Sequence, residues 1–182
     1  MTTTKKLIVV IAALSVLLCC VVGGTLAYLR DKTNPVTNTF TYGDINITLT
    51  ETERTYKMIP GSELPKDPKV TVKAGSEACW LFIQVDKTND PDTYLTYSID
   101  TTVWTELPGV TGVYYREVSA VSEDTAYPVL TGNKVVVKEE VTKQMLTAIG
   151  TEYPTLTFTA YAVQKENVDD VATAWAIANG NN

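Results

Sequence analysis

The chain has 182 residues, 45% apolar and 20% charged, a balance suited to one globular core. It carries 15 Lys+Arg against 21 Asp+Glu with no basic run, which argues against nucleic acid and anionic lipid surfaces as partners. It has no histidine, which excludes Ser-His-Asp and Cys-His catalysis and H-E-x-x-H zinc hydrolysis, each of which needs an imidazole as base or ligand.

Lys5 and Lys6 precede an uncharged run from Leu7 to Val22, and Gly23, Gly24, Thr25 and Ala27 follow. This is the charged, apolar and small-residue order of a secretory leader, with Thr25 and Ala27 at the small positions and Tyr28 as the new first residue. Residues 1–27 are read as a signal peptide met by a signal peptidase, and 28–182 as a single exported domain. The rival reading extends the uncharged stretch to Leu29, which would span about 30 Å of hydrocarbon at ~1.5 Å per residue and remain as an anchor. That uncleaved N-terminus would be the only contact with a membrane. Loss of residues 1–27 removes two lysines and no acid, so the rest is more acidic still.

Cys19 and Cys20 lie within the leader, and Ser15 to Leu18 lack the small residue that lipidation sites usually carry just before the cysteine. Cys79 alone remains, so no internal disulfide is available and the core must supply the stability. Within "ACWLFIQVD" Cys79 is expected to be a buried, inert thiol.

Beyond Tyr28 the sequence reads as short strands punctuated by turns. In the N-terminal segment 28–51, Ile45, Ile47 and Leu49 alternate with Asn46, Thr48 and Thr50, a period of two that buries one face. Phe40 and Tyr42 have the opposite parity, so Gly43 and Asp44 are read as a bulge or sharp twist. "MIPGSELPKDP" reads as a loop. Val70, Val72 and Ala74 alternate with Lys69, Thr71 and Lys73 as a half-exposed strand, and Ala78 to Val85 is apolar on both faces, as expected at the centre of a sandwich. Leu95, Tyr97 and Ile99, then "GVYYREV", "NKVVVKEEV" and "TLTFTAYAV", complete seven or eight strands. Helices are expected at Thr142 to Ile149 and at 168–178, where Val168, Val171, Ala172 and Trp175 recur at helical spacing. The fold class is therefore mostly β, an antiparallel β-sandwich or jelly roll with one or two short helices, one of them C-terminal.

Few chemistries survive. "DKTNDPD" gathers Asp86, Asn89, Asp90 and Asp92, but the spacing is not that of an EF-hand and reads as a solvated turn. Glu139 and Glu140 are adjacent on an expected strand and point to opposite faces, which disfavours a paired-carboxylate site. "LPGVTG", Leu107 to Gly112, reads as a turn. No catalytic residue, cofactor or metal site is expected.

"GGTLAYLRDKTNPVTNTFTYGDINITLTE", Gly23 to Glu51, resembles the N-terminal block of the TasA/camelysin family of SipW-dependent secreted proteins of Gram-positive bacteria. The likeness lies in the Gly-Gly-Thr-x-Ala exit from the leader, Asp31 soon after, and the "TNTFTYGDINITLTE" strand. Further segments look like those of clostridial members: "IPGSELPKDPKVTVKAGSEACWLFIQV", "GVYYREV" and "LTFTAYAVQKENVDDVATAWA". The resemblance implies a jelly-roll domain, leader removal by a dedicated signal peptidase, an extracellular or cell-surface location, and in matrix members fibres built by donor-strand exchange. The expected function is then a structural protein of the biofilm matrix that associates with itself or related subunits, its donor strand carrying Phe40, Tyr42, Ile45, Ile47 and Leu49. The alternatives are docking of that strand in its own subunit, giving a monomeric surface adhesin or accessory protein, and a camelysin-like protease, which the missing histidine disfavours.

Overall fold

The computed structural model describes residues 3–5, 11, 12, 14, 44–53 and 55–180. The chain divides into a unit Met1–Thr41 and a unit Tyr42–Asn182, and every described strand belongs to the second. Among the described residues no helix is long and apolar enough to cross a membrane.

Among the described residues ten strands pair antiparallel in three sheets. One holds β1 (Ile47–Thr50), β3 (Lys69–Val72) and β8 (Thr125–Pro128), in the order β1-β3-β8. A second runs β10-β4-β7-β6, from β10 (Thr155–Gln164), β4 (Cys79–Thr88), β7 (Val113–Val118) and β6 (Thr105–Glu106). The third is β2-β9-β5, from β2 (Glu63–Pro65), β9 (Lys134–Val137) and β5 (Leu95–Thr96). Among the described residues of this second unit are three short α-helices: α1 (Pro91–Tyr94), α2 (Lys143–Ala148) and α3 (Val171–Ala178).

The pattern of β4 explains the layering. Side chains alternate across a strand, so Cys79, Leu81, Ile83 and Val85 share one face and pack with Val70, Val72 and Val135 of the other two sheets. Trp80 and Phe82 take the opposite face, where α3 lies against the sheet. Trp175 of α3 sits 5.3 Å from Phe82 and meets Tyr161 edge-on at 5.4 Å, ring geometries that aromatic pairs favour. Buried on both sides, β4 needs no polar alternation, and its sequence shows none until Gln84. Trp104 closes the main core, 1% exposed, with its indole N–H donated to the Pro128 carbonyl at 2.7 Å.

Both longer helices are capped as their sequences dictate. The Thr142 hydroxyl accepts from the Met145 N–H, and the Asp170 carboxylate accepts from the Thr173 N–H and hydroxyl. Those Thr173 bonds hold the Asp170 carboxyl below its ordinary range. The C-terminal helix begins at Val171, later than the expected 168, because the cap sits at Asp170 and the Val168 carbonyl receives the Trp80 indole N–H.

Other boundaries also differ. The proline-rich segment expected as a loop contains β2, whose three residues pair with β9. Regular pairing at Leu95, Tyr97 and Ile99 stops after Thr96, and Ile99 keeps a single bridge to Leu130. Glu139 and Glu140 lie in a turn after β9 rather than on a strand. β6 and β8 are additional strands, of two and four residues.

Candidate functional site

The free edges of the sheets place the candidate site. β1 has one described partner, β3, in the register Ile47↔Val72, Thr48↔Thr71, Leu49↔Val70 and Thr50↔Lys69. The Asn46 carbonyl accepts from the Lys73 N–H, so the even-numbered residues turn their backbone groups toward β3. Ile45, Ile47 and Leu49 therefore direct theirs outward, while their side chains pack half-buried on the main core.

β10 is also an edge strand, and a long one. Among the described residues its ten residues pair with β4 alone. The Lys165 N–H bonds the Ala78 carbonyl, and the Val85 N–H turns the other way to Gly112. By the same alternation, Leu156, Phe158, Ala160 and Ala162 present outward backbone groups. A long unpaired edge invites strand addition.

Between the end of β1 and the first half of β10 lies a groove of about 880 Å³. Leu49, Tyr56, Leu64, Val135, Leu156 and Phe158 make its apolar lining, and Tyr153, 63% exposed, stands at its side. One charged pair interrupts this surface: Lys66 Nζ meets Glu51 Oε1 at 2.6 Å, with the two side chains only 12% and 15% exposed. The same ammonium lies 5.7 Å from the centroid of the Tyr56 ring and 5.4 Å from that of Phe158, within cation–π range. The Tyr56 hydroxyl donates to the Glu53 carbonyl at 2.5 Å and lies 3.3 Å from Glu51 Oε1. Burial first, and then the Glu51 charge, push its pKa up to about 12.

Next to this pair a second contact ties the same chain segment down. Asp67 accepts from the Thr52 N–H at 2.9 Å and from its hydroxyl at 2.8 Å. The Thr52 N–H, then the hydroxyl, hold the Asp67 carboxyl below the usual range, and Lys69 adds to this. Glu51–Lys66 and Thr52–Asp67 thus form a clasp joining the end of β1 to the start of β3. In sequence each pair is fifteen residues apart, and no motif announces it.

Chemically this site can hold an apolar or aromatic chain. Its lysine and glutamate are engaged with each other. Among the described residues no group of three or more His, Cys, Asp and Glu could hold a metal ion. The acidic turn is engaged in its own structure: Asp86 accepts from the Gln84 amide at 2.9 Å, Asp90 from the Thr93 hydroxyl at 2.5 Å, and Asp92 pairs with Lys87 at 2.7 Å. Cys79 is wholly buried, and burial raises its thiol to about 11, far from a reactive thiolate at neutral pH. "LPGVTG" is the turn from β6 to β7, with the Leu107 N–H bonded to the Val113 carbonyl.

Of the residues singled out in the sequence, Ile45, Ile47 and Leu49 come together here on one face against their own chain's core. Thr25, Ala27, Tyr28, Phe40 and Tyr42 lie outside the described residues. Sequence reading did not find Glu51, Tyr56, Lys66, Asp67 or Phe158 as a group.

No protein-family model matches the chain, and no curated protein matches it. Among solved structures, the partial N-terminal region of an enterococcal surface protein aligns with a TM-score of 0.39 and 13% identity, over 78% of this chain and 43% of that one. The chain thus spans less than half of that neighbour, and a likeness at this level carries no argument about function. The fold class rests on the strand pairing itself.

Proposed function

We propose that this is an exported, non-enzymatic structural protein of the cell surface or extracellular matrix, which assembles by passing its first strand to the β3 edge of a neighbour. The observation that carries this reading is the way β1 is held. A four-residue ladder, the bonds of Asp44 and Asn46 to Lys73, Ser76 and Glu77, a two-pair clasp and three half-buried side chains retain it, and it precedes every other described strand, so its departure breaks no other ladder. A twelve-residue linker, Glu51 to Ser62, separates it from β2 and reaches about 40 Å when extended. Docking in a second copy would recreate the same contacts, which is the low-cost route of strand swapping. The likeness of Gly23–Glu51 to the leader and first strand of the TasA/camelysin family supports export and the same mode of assembly.

The test joins size exclusion with light scattering and negative-stain microscopy on Tyr28–Asn182. A variant with Thr48→Cys and Thr71→Cys, a directly opposed pair on the polar face, locks β1 at home when oxidised. Filaments are expected from the unmodified chain, lost in the oxidised variant and regained on reduction. A monomer under all three conditions contradicts the assembly reading. It would favour a monomeric surface protein, for which the specific observation is that Ile45, Ile47 and Leu49 already pack on their own core.

A further inference from the structure

We infer that the pocket beside the turn at Thr111 and Gly112 is a binding site for one ring of a neutral sugar. The argument does not rest on strand exchange: this pocket shares no lining residue with the groove at β1 and needs no second copy.

Strand register brings the lining together. Ile83 in β4 and Glu106 in β6 both oppose Tyr114 of β7 across their ladders. Directly opposed residues share a face, and alternation along β4 puts Val85 and Lys87 on that face too. It is the face of the main core, against which Tyr97 and Tyr114 pack half-buried. With Lys87, Glu106, Thr111 and Gly112 these two tyrosines line a pocket of about 300 Å³, at the small end of ligand-sized cavities. The turn is pressed close to β4: the Gly112 carbonyl accepts from the Val85 N–H at 2.8 Å, and a Cβ on Gly112, at φ +77°, would stand 3.0 Å from the Val85 carbonyl oxygen.

The chemistry of this lining selects its ligand. Each tyrosine offers a flat apolar ring with a hydroxyl at its tip. Lys87 supplies donors: its ammonium meets Asp92 Oδ2 at 2.7 Å and lies 5.4 Å from the Tyr97 ring centroid, and an ammonium has three protons to give. Glu106, exposed, supplies a carboxylate that only accepts. These groups act on one another: burial first, and then the Glu106 charge, raise the Tyr114 phenol above its ordinary range, while Lys87 pulls it down. Asp86 also borders the pocket, but its carboxylate accepts from the Gln84 amide at 2.9 Å, and alternation directs both of those side chains to the opposite face. A simple anion here would face Glu106, a simple cation would face Lys87, and an apolar ligand would strip water from both with no bond in return. A pyranose ring satisfies all of them, because its C–H face covers a tyrosine ring while its hydroxyls donate to the carboxylate and accept from the ammonium.

The experiment uses the full chain in whichever processed form the expressing cells yield. D-Glucose, D-galactose, D-mannose and N-acetyl-D-glucosamine are titrated separately, with methylammonium and acetate as ionic probes, while NMR follows the ring signals of Tyr97 and Tyr114. At least one sugar should shift both rings saturably, with a Kd on the order of 1–10 mM for so few contacts. Glu106→Gln and Lys87→Met, at exposed side chains that the core does not need, should each weaken that binding ~10-fold. Tyr153→Ala, at the separate groove, should leave it unchanged. Three results overturn the inference: no saturable shift with any of the four sugars at ~100 mM, a sugar response that survives both pocket variants, or tighter binding of either ion than of every sugar.

Discussion

β4 and β1 are both strands with Ile and Leu at alternate positions, yet the fold uses them in opposite ways. β4 lies between two partners and between two apolar layers, with Leu81, Phe82 and Ile83 wholly buried. β1 has one described partner, one apolar face and no wholly buried side chain. Hydrophobic stabilisation scales with the apolar area removed from water, so the chain's stability is concentrated in β4 and its two neighbours. β1 adds less and loses less on leaving. The proposed strand exchange would need that division.

Mutations can break or sharpen this contrast. The largest loss is expected from Phe82→Ala, which empties a wholly buried site against Trp175 and Tyr115 and should cost about 3–5 kcal/mol in denaturant unfolding. Gly112→Ala should follow, at roughly 1–3 kcal/mol. Gly112 has φ +77°, and an added Cβ would stand 3.0 Å from the Val85 carbonyl oxygen, backbone of β4 itself that cannot move aside cheaply. Leu49→Ala removes a half-buried side chain and should cost only about 1–2 kcal/mol, while raising the rate at which β1 opens. If Leu49→Ala proves as costly as Phe82→Ala, the two strands are equivalent and the contrast fails.

The smallest effect is expected at the clasp. The folded-state pKa of Asp67 lies below its unfolded value, so its contribution is present above about pH 4 and lost as pH falls through the depressed folded value. Asp124, held down by the Lys73 ammonium and the Ala74 N–H, and Asp170 at its helix cap shift in the same direction. Melting temperature should therefore fall on acidification below pH 4. Asp67→Asn should lower the neutral-pH melting temperature slightly, leave the value at low pH nearly unchanged and so flatten part of that acid slope; an unchanged slope would remove Asp67 from the clasp.

What could be read from the sequence follows the same division. β4, β7, β9 and β10 announce themselves because each is a run of β-branched and aromatic residues long enough to carry a pattern. β2 and β6 do not: they have three and two residues, and their pairing is decided by partners far along the chain. The clasp was illegible for the same reason, since Lys66 and Glu51 meet only once β1 and β3 are side by side. The apolar residues of β1 were legible, and so was the question of where they dock. Their answer in this chain, against its own Val70 and Val72, depended on tertiary packing.

The most direct test of the central claim is native-state hydrogen exchange across the two strands. The amides of Thr48 and Thr50, paired to β3, should exchange through a local opening several kcal/mol cheaper than the global unfolding that releases Leu81 and Ile83 in β4. Exchange of both sets with one common opening free energy would mean that β1 is as firmly held as the centre of the fold, and would contradict the proposal that it is the strand that moves.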